Sequence, residues 1–265
     1  MKDFQESVQS LLEMFSNQDF PEQVAWSIIR RDPNEPSIPS DGWSVFNRLI
    51  MRLFGNTDDA RTYLQWKAVG RHVTKGAKAF YIFAPIIRKE VDEINGKETK
   101  ELRGFKPLPV FGIENTTGEA IIKPNYQSVK LPPLTKVAEA LGIKIHWKPI
   151  DKSRSALGYF RPADKSITLY VEDSAVFYHE LGHAIHDTFE PMQSIDGNYA
   201  EVVAELVAAI LCVMTGKVGY EQQSWDYIQR FTETKDDKAT LKAITNVLNT
   251  VEKIVNIITA TASTL

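Results

Sequence analysis

The stretch Phe177-Tyr178-His179-Glu180-Leu181-Gly182-His183-Ala184-Ile185-His186 carries H-E-x-x-H inside a run that reads as helix. Two histidines four apart lie on one helical face, one turn apart, so both imidazoles can reach a single metal ion. Glu180, beside the first histidine, can then act on a water brought by that ion. Gly182 sits where a helix interior favours alanine by about 1 kcal/mol, which implies close approach by another segment. Zinc-dependent hydrolysis is the chemistry this pattern supports.

A catalytic zinc takes three protein ligands and keeps a position open. After His183 the candidates for the third are His186, Asp187, Glu190, Asp196, Glu201 and Glu205. His186 lies partly round the helix from the pair, and Asp187 continues away from the metal. Glu201 and Glu205 sit one turn apart on an otherwise apolar helix, Tyr199 to Ile210. Carboxylates on a face that should be buried demand partners, and a metal with its histidine supplies them. We take Glu201 as the third ligand and Glu205 as acceptor from a ligand histidine's other N–H. Glu180 is the general base toward a peptide carbonyl, since a purely structural site needs no acid there. Tyr159, Tyr170 and Tyr178 are candidate donors to the oxyanion.

Composition bounds the remainder. At 265 residues, 43% hydrophobic and 25% charged, the chain is an ordinary globular one with room for two domains. A net charge of −3 points to no partner. The sole cysteine, Cys212, lies in an apolar run and reads as a buried thiol in a reducing, cytoplasmic setting. The N-terminus lacks a signal-type apolar region, and no apolar run reads as spanning a membrane.

Along the chain the expected architecture is α+β. Helical spacing marks residues 3–16 and about Trp43 to Phe54, with a second apolar segment at Val24 to Ile29; Thr57-Asp58-Asp59 reads as the cap of a helix ending near Val69. Lys78 to Phe83 and Leu108 to Glu114 read as strands of a β-hairpin with a long polar tip. A Pro-rich linker near 123–133 divides residues 1–127 from 128–265. The second part should hold a helix at 134–141, a strand at 143–147, a hairpin turning at 162–165, and the motif helix. Helices at 198–215, 221–231 and 237–258 complete it.

The near-neutral total hides a local asymmetry. From Ala60 to Lys89 there is no Asp or Glu, while Arg61, Lys67, Arg71, Lys75, Lys78, Arg88 and Lys89 alternate with Tyr63, Trp66, Phe80, Tyr81 and Phe83. Cations with aromatic platforms are what sequence-tolerant single-strand binding uses. A core with a solvated basic face would give the same pattern.

Both halves together resemble the ArdC-type antirestriction proteins of mobile elements. The resemblance rests on Trp43 to Asn47, Gln65 to Lys67, Gly70 to Lys78, Pro109 to Glu114 and Thr117 to Glu119. It continues through Phe160 to Pro162, Ile167, His179 to His183 and Tyr199 to Leu211. It implies an N-terminal single-stranded-DNA-binding domain and a C-terminal zincin-like metallopeptidase domain, a small sheet packed on the H-E-x-x-H helix. It further implies Zn2+ as cofactor, and Asn47, Trp66, Lys67, Arg71, Lys75 and Lys78 as residues of a DNA surface. Glu201-x-x-Ala204-Glu205 is similar to the third-ligand helix of gluzincins. The chain departs from the family at Gly76-Ala77, where Gly-Glu is frequent, and at Asp187, where a further histidine is frequent.

Overall fold

A computed structural model describes residues 20–28, 35–91, 98–122, 124, 133–149, 156–217 and 237–265. The helices expected over 3–16 and 221–231 lie outside these. The fold is α+β with small sheets, and the chain divides into two compact units built on Arg31–Asn125 and Tyr126–Leu265.

Helix α1 (Phe20–Ile28) goes with the second unit, although the sequence boundary assigned it to the first. Its buried Val24 and Ile28 have their partners there, on the long apolar helix described below. A short apolar helix is placed by what it can bury against, not by its position in the chain.

In the first unit, α2 (Val45–Leu53) begins where the Ser44 side chain accepts from the Asn47 amide at 3.3 Å. Strand β1 (Ala60–Arg61) precedes α3 (Tyr63–Ala68), whose cap is Thr62 with Gln65 in a reciprocal capping box. The expected cap at Thr57-Asp58-Asp59 is therefore displaced. Asp59 is fully buried and grips Arg61 (Nη2 to Oδ2, 2.7 Å), which fixes β1 before the helix can start.

Strands β2 (Arg71–Val73) and β5 (Thr116–Gly118) pair antiparallel; β3 (Phe80–Val91) and β4 (Glu98–Gly112) form a long hairpin with a register shift between Ile86 and Ile87. The hairpin outruns the expected strands because its distal half is charged and lacks apolar alternation, while the backbone ladder continues to Val91 opposite Glu98. Val45, Leu49, Ile50, Trp66, Ile82 and Val110 fill the core of this unit.

In the second unit, α4 (Leu134–Ala140) leads to β6 (Lys144–Trp147), then β7 (Gly158–Arg161) and β8 (Ser166–Leu169). The sheet order is β6-β8-β7, with β6 parallel and β7 antiparallel to the central strand. Helix α5 (Ser174–His186) packs on this sheet, its start capped by Asp173 at 2.8 Å from the Ala175 amide. Helix α6 (Gly197–Met214) lies against α5, α1 and α7 (Asp237–Ala262).

Helix α6 is long and apolar enough, by length and composition, to cross a membrane, which sequence inspection did not credit. It is instead a core helix: Val202, Val203, Leu206, Val207, Ile210 and Leu211 are all buried. A helix apolar all round belongs inside a protein or a bilayer, and here α1, α5 and α7 surround it.

Gly182 accounts for the closeness of α5 and α6. A Cβ there would lie 3.3 Å from Ala204 Cα and 3.3 Å from Val207 Cγ1. The missing methyl lets the two backbones approach, bringing the third ligand candidate up to the histidines.

Candidate metal centre

His179 and His183 project from α5 with Nε2 atoms 3.0 Å apart. Glu201, from the second turn of α6, sets Oε2 3.3 Å from His179 Nε2 and Oε1 3.4 Å from His183 Nε2. An ion bonded at about 2.0–2.2 Å in tetrahedral geometry separates its ligand atoms by roughly 3.3–3.5 Å. Both Glu201 distances match that spacing and the histidine pair falls about 0.3 Å short of it, so the three donors converge on the place of one small divalent cation. Two imidazole nitrogens and a carboxylate also suit zinc by chemical type.

The other candidates for the third position go elsewhere. His186, fully buried, faces Glu190 (Nε2 to Oε2, 3.1 Å). Asp187 accepts from the Met192 amide, and Asp196 caps α6 at Tyr199. Glu205, one turn beyond Glu201, sets Oε1 3.3 Å from His179 Nδ1, the nitrogen turned away from the shared point. The Glu201 side chain is 45% exposed and that of Glu205 only 13%, so one opens to the cleft and the other lies behind the ring.

Electrostatics follow from this packing. Burial, the largest influence on His179, works against its charge; the Glu201 and Glu205 carboxylates, each 3.3 Å from a ring nitrogen, and the field of Glu180 outweigh it and lift its pKa to about 10. Glu201 is held far below the usual carboxylate range by hydrogen bonds from His179 and then His183. A proton between them therefore rests on the histidine, where it occupies a metal's place. Burial pushes Glu180 up, against the lowering effects of both histidines and of the Phe160 amide, which donates to it.

A cleft of about 390 Å3 opens on these groups, lined by His179, Glu180, His183, Glu201, Met192 and the β7 segment from Gly158 to Pro162. Gly158 permits the approach of β7. A Cβ there would meet Val176 Cγ1 at 2.9 Å and Glu180 Cγ at 3.3 Å. Of the candidate oxyanion tyrosines, Tyr159 is on the cleft lining with its ring 6.2 Å from that of Tyr170, and the Tyr178 hydroxyl meets Thr215 Oγ1 at 3.3 Å.

The six residues proposed for a DNA surface separate into three groups. Asn47 is buried, donating to the Phe83 carbonyl and accepting from its amide, both at 2.9 Å; it ties α2 to β3. Trp66 has no exposed surface, donates to the Phe111 carbonyl at 2.8 Å, and lies under Arg61. Burial makes both of them framework residues, a correction to the sequence expectation. Arg71 is partly buried and spends its guanidinium on Thr116 and the Glu119 carbonyl. Lys67, Lys75 and Lys78 are exposed, and the exposed rings of this unit are Tyr63 and Phe105 among the described residues. Tyr63 lies three residues before the buried Trp66 in α3, a spacing too short a helix made ambiguous.

Over 94% of its length the chain has an ArdC-type fold, extending to structure the resemblance carried by its motifs. The crystal structure of the antirestriction protein ArdC from the R388 plasmid, in metal-free form, matches with a TM-score of 0.58 at 18% identity, over 94% of this chain and 98% of that one. The Mn(II)-bound structure of the same protein matches with a TM-score of 0.59 at 18% identity, over 93% and 97%. No protein-family profile matches the sequence. No curated protein matches it either.

Proposed function

We propose that the chain is a zinc-dependent metallopeptidase joined to a single-stranded-DNA-binding unit, an antirestriction protein of a mobile element acting in the cytoplasm. The observation that carries this is the convergence of His179, His183 and Glu201 at ligand spacing beside Glu180, on an open cleft. The R388 protein of like fold is named for antirestriction and has a Mn(II)-bound form, which supports a divalent ion here. Two imidazoles and one carboxylate favour zinc among such ions.

When bound, the metal would polarise a carbonyl and acidify water. Glu180 takes the proton from the attacking water; its burial raises its basicity for that task. Glu205 holds the His179 ring in register from behind. Strand β7 is the outer strand of its sheet and lines the cleft, so an extended peptide can lie along it. The first unit, built on Arg31–Asn125, would hold DNA through Lys67, Lys75 and Lys78, with the second unit as the peptidase.

Glu180→Gln tests the assignment. It should retain stoichiometric zinc and lose cleavage of fluorescently labelled casein, assayed with and without a single-stranded oligonucleotide. Cleavage equal to that of the unsubstituted chain would sink the role of Glu180. A second reading rests on the exposed Lys67, Lys75 and Lys78: a protein that shields DNA from a restriction enzyme, its metal serving the fold. Protection of DNA that survives Glu180→Gln selects this one.

A further inference from the structure

The sheet of the second unit has two unlike faces. Gly158, Phe160, Ile167 and Leu169 share the side turned to α5, for a Cβ at Gly158 would meet Val176 and Glu180 of that helix. Strand alternation sends Tyr159, Arg161, Ser166 and Thr168 to the other side, and the parallel register of β6 adds Lys144 and His146. Lys144, His146 and Arg161 are exposed there, and Lys148 and Lys165 are exposed at its margins. Ser166 and Thr168 are buried beneath this outer layer, bonded to Asp164 and Tyr159.

Cations outnumber carboxylates on this face. Asp164 is its carboxylate, and it is already tied to Arg161 and Ser166. Lys144, Lys148 and Lys165 meet no carboxylate among the described residues. A merely solvated face interleaves both signs; here unpaired cations surround two rings, Tyr159 and His146, on a platform about 10 Å across three strands. Cations around a half-buried tyrosine ring and an exposed imidazole match a polyanion whose units also stack, which an acidic polypeptide does not.

We propose that this open face binds single-stranded nucleic acid, with Lys144, Lys148 and Lys165 at phosphates and Tyr159 and His146 under bases. It is a contact surface on the metal-bearing unit itself, separate from Lys67, Lys75 and Lys78. Neither the metal centre nor the first unit is needed for the argument.

The test uses the full chain and an oligothymidylate carrying 5-iodouracil, irradiated and mapped by mass spectrometry. Crosslinks to Tyr159 or His146 are expected. The pair Lys144→Glu and Lys148→Glu should lower their yield at least about fivefold, and should flatten the log–log salt dependence of crosslinking at this site by about 1.4, near 0.7 per cation lost. Lys144→Gln with Lys148→Gln, checked by circular dichroism, should act in the same direction and guards against misfolding of the charge-reversed pair. Crosslinks confined to residues 31–125 would overturn the proposal. So would yields unchanged by both pairs, or displacement by polyglutamate as effective as by unlabelled oligonucleotide, which would mark an acidic polypeptide as the ligand.

Discussion

Glu205 stands behind His179: its Oε1 lies 3.3 Å from Nδ1 of a ring whose Nε2 faces Glu201 and His183. A carboxylate at that nitrogen fixes the tautomer that leaves Nε2 free to bind, and raises its basicity. Such partners are typically worth about 10–100-fold in metal affinity. Glu205→Gln keeps the shape and removes the charge, so zinc affinity measured by chelator competition should fall by that factor with the fold intact. An unchanged affinity would reduce Glu205 to a buried acid that merely offsets the charge of His179.

The same geometry sets a pH dependence. In the metal-free chain the pKa of His179 rises from 6.5 to about 10. A raised histidine contributes stability that is complete below its unfolded pKa and lost as pH climbs through the folded one. The depressed Glu201 is the other side of this ion pair and is counted once. The chelator-treated protein should therefore lose melting temperature steadily between about pH 6.5 and 10. Zinc binding in that window should release a proton, seen by calorimetry in buffers of different ionisation enthalpy. A melting temperature flat across the window would refute the protonated pair.

Burial reassigns two residues once expected at DNA. Asn47 exchanges two hydrogen bonds with the Phe83 backbone and Trp66 gives one to the Phe111 carbonyl. Trp66→Phe should cost about 1–3 kcal/mol by orphaning a buried acceptor, and Asn47→Ala at least as much. Chemical denaturation would read these losses. Under conditions where the variants stay folded, oligonucleotide affinity should change less than it does for Lys67→Glu with Lys75→Glu.

What the sequence made legible was chemistry under constraint. Two carboxylates at helical spacing in an apolar helix have few explanations, so Glu201 and Glu205 could be paired with the histidines before any coordinates. Gly182 was conspicuous for the same reason, as an unfavourable residue in a helix interior. The acid-free block was harder, because an amide or indole looks alike in sequence whether it faces a nucleotide or a backbone carbonyl. Asn47 and Trp66 are ambiguous in sequence on that ground, and burial decides their surroundings. The outer half of the β3–β4 hairpin is hidden in sequence by its charged residues, which break the apolar alternation that marks a half-buried strand. The cationic sheet face was invisible because Lys144 and Arg161 meet only through register with β8.

Gly182 is the position on which the third ligand depends. Ala204 Cα and Val207 Cγ1 both lie 3.3 Å from where a Cβ would sit, and the first is backbone that cannot rotate away. Alanine gains about 1 kcal/mol of helix propensity, which partly offsets the contact. Valine loses most of that gain and adds two methyl groups in a packed seam, where overpacking costs about 1–3 kcal/mol. Gly182→Val should therefore separate α5 from α6 and carry Glu201 away from His179 and His183. Zinc affinity should fall more steeply than melting temperature of the chelator-treated chain, since ligand geometry fails before the core does. Leu181→Met, the neighbouring core residue on the same helix, is the control: volume is conserved, stability should fall by less than about 1.5 kcal/mol, and zinc affinity should stay that of the unsubstituted protein. If the valine variant bound zinc as tightly as the parent, the close approach at Gly182 would have no part in building the site.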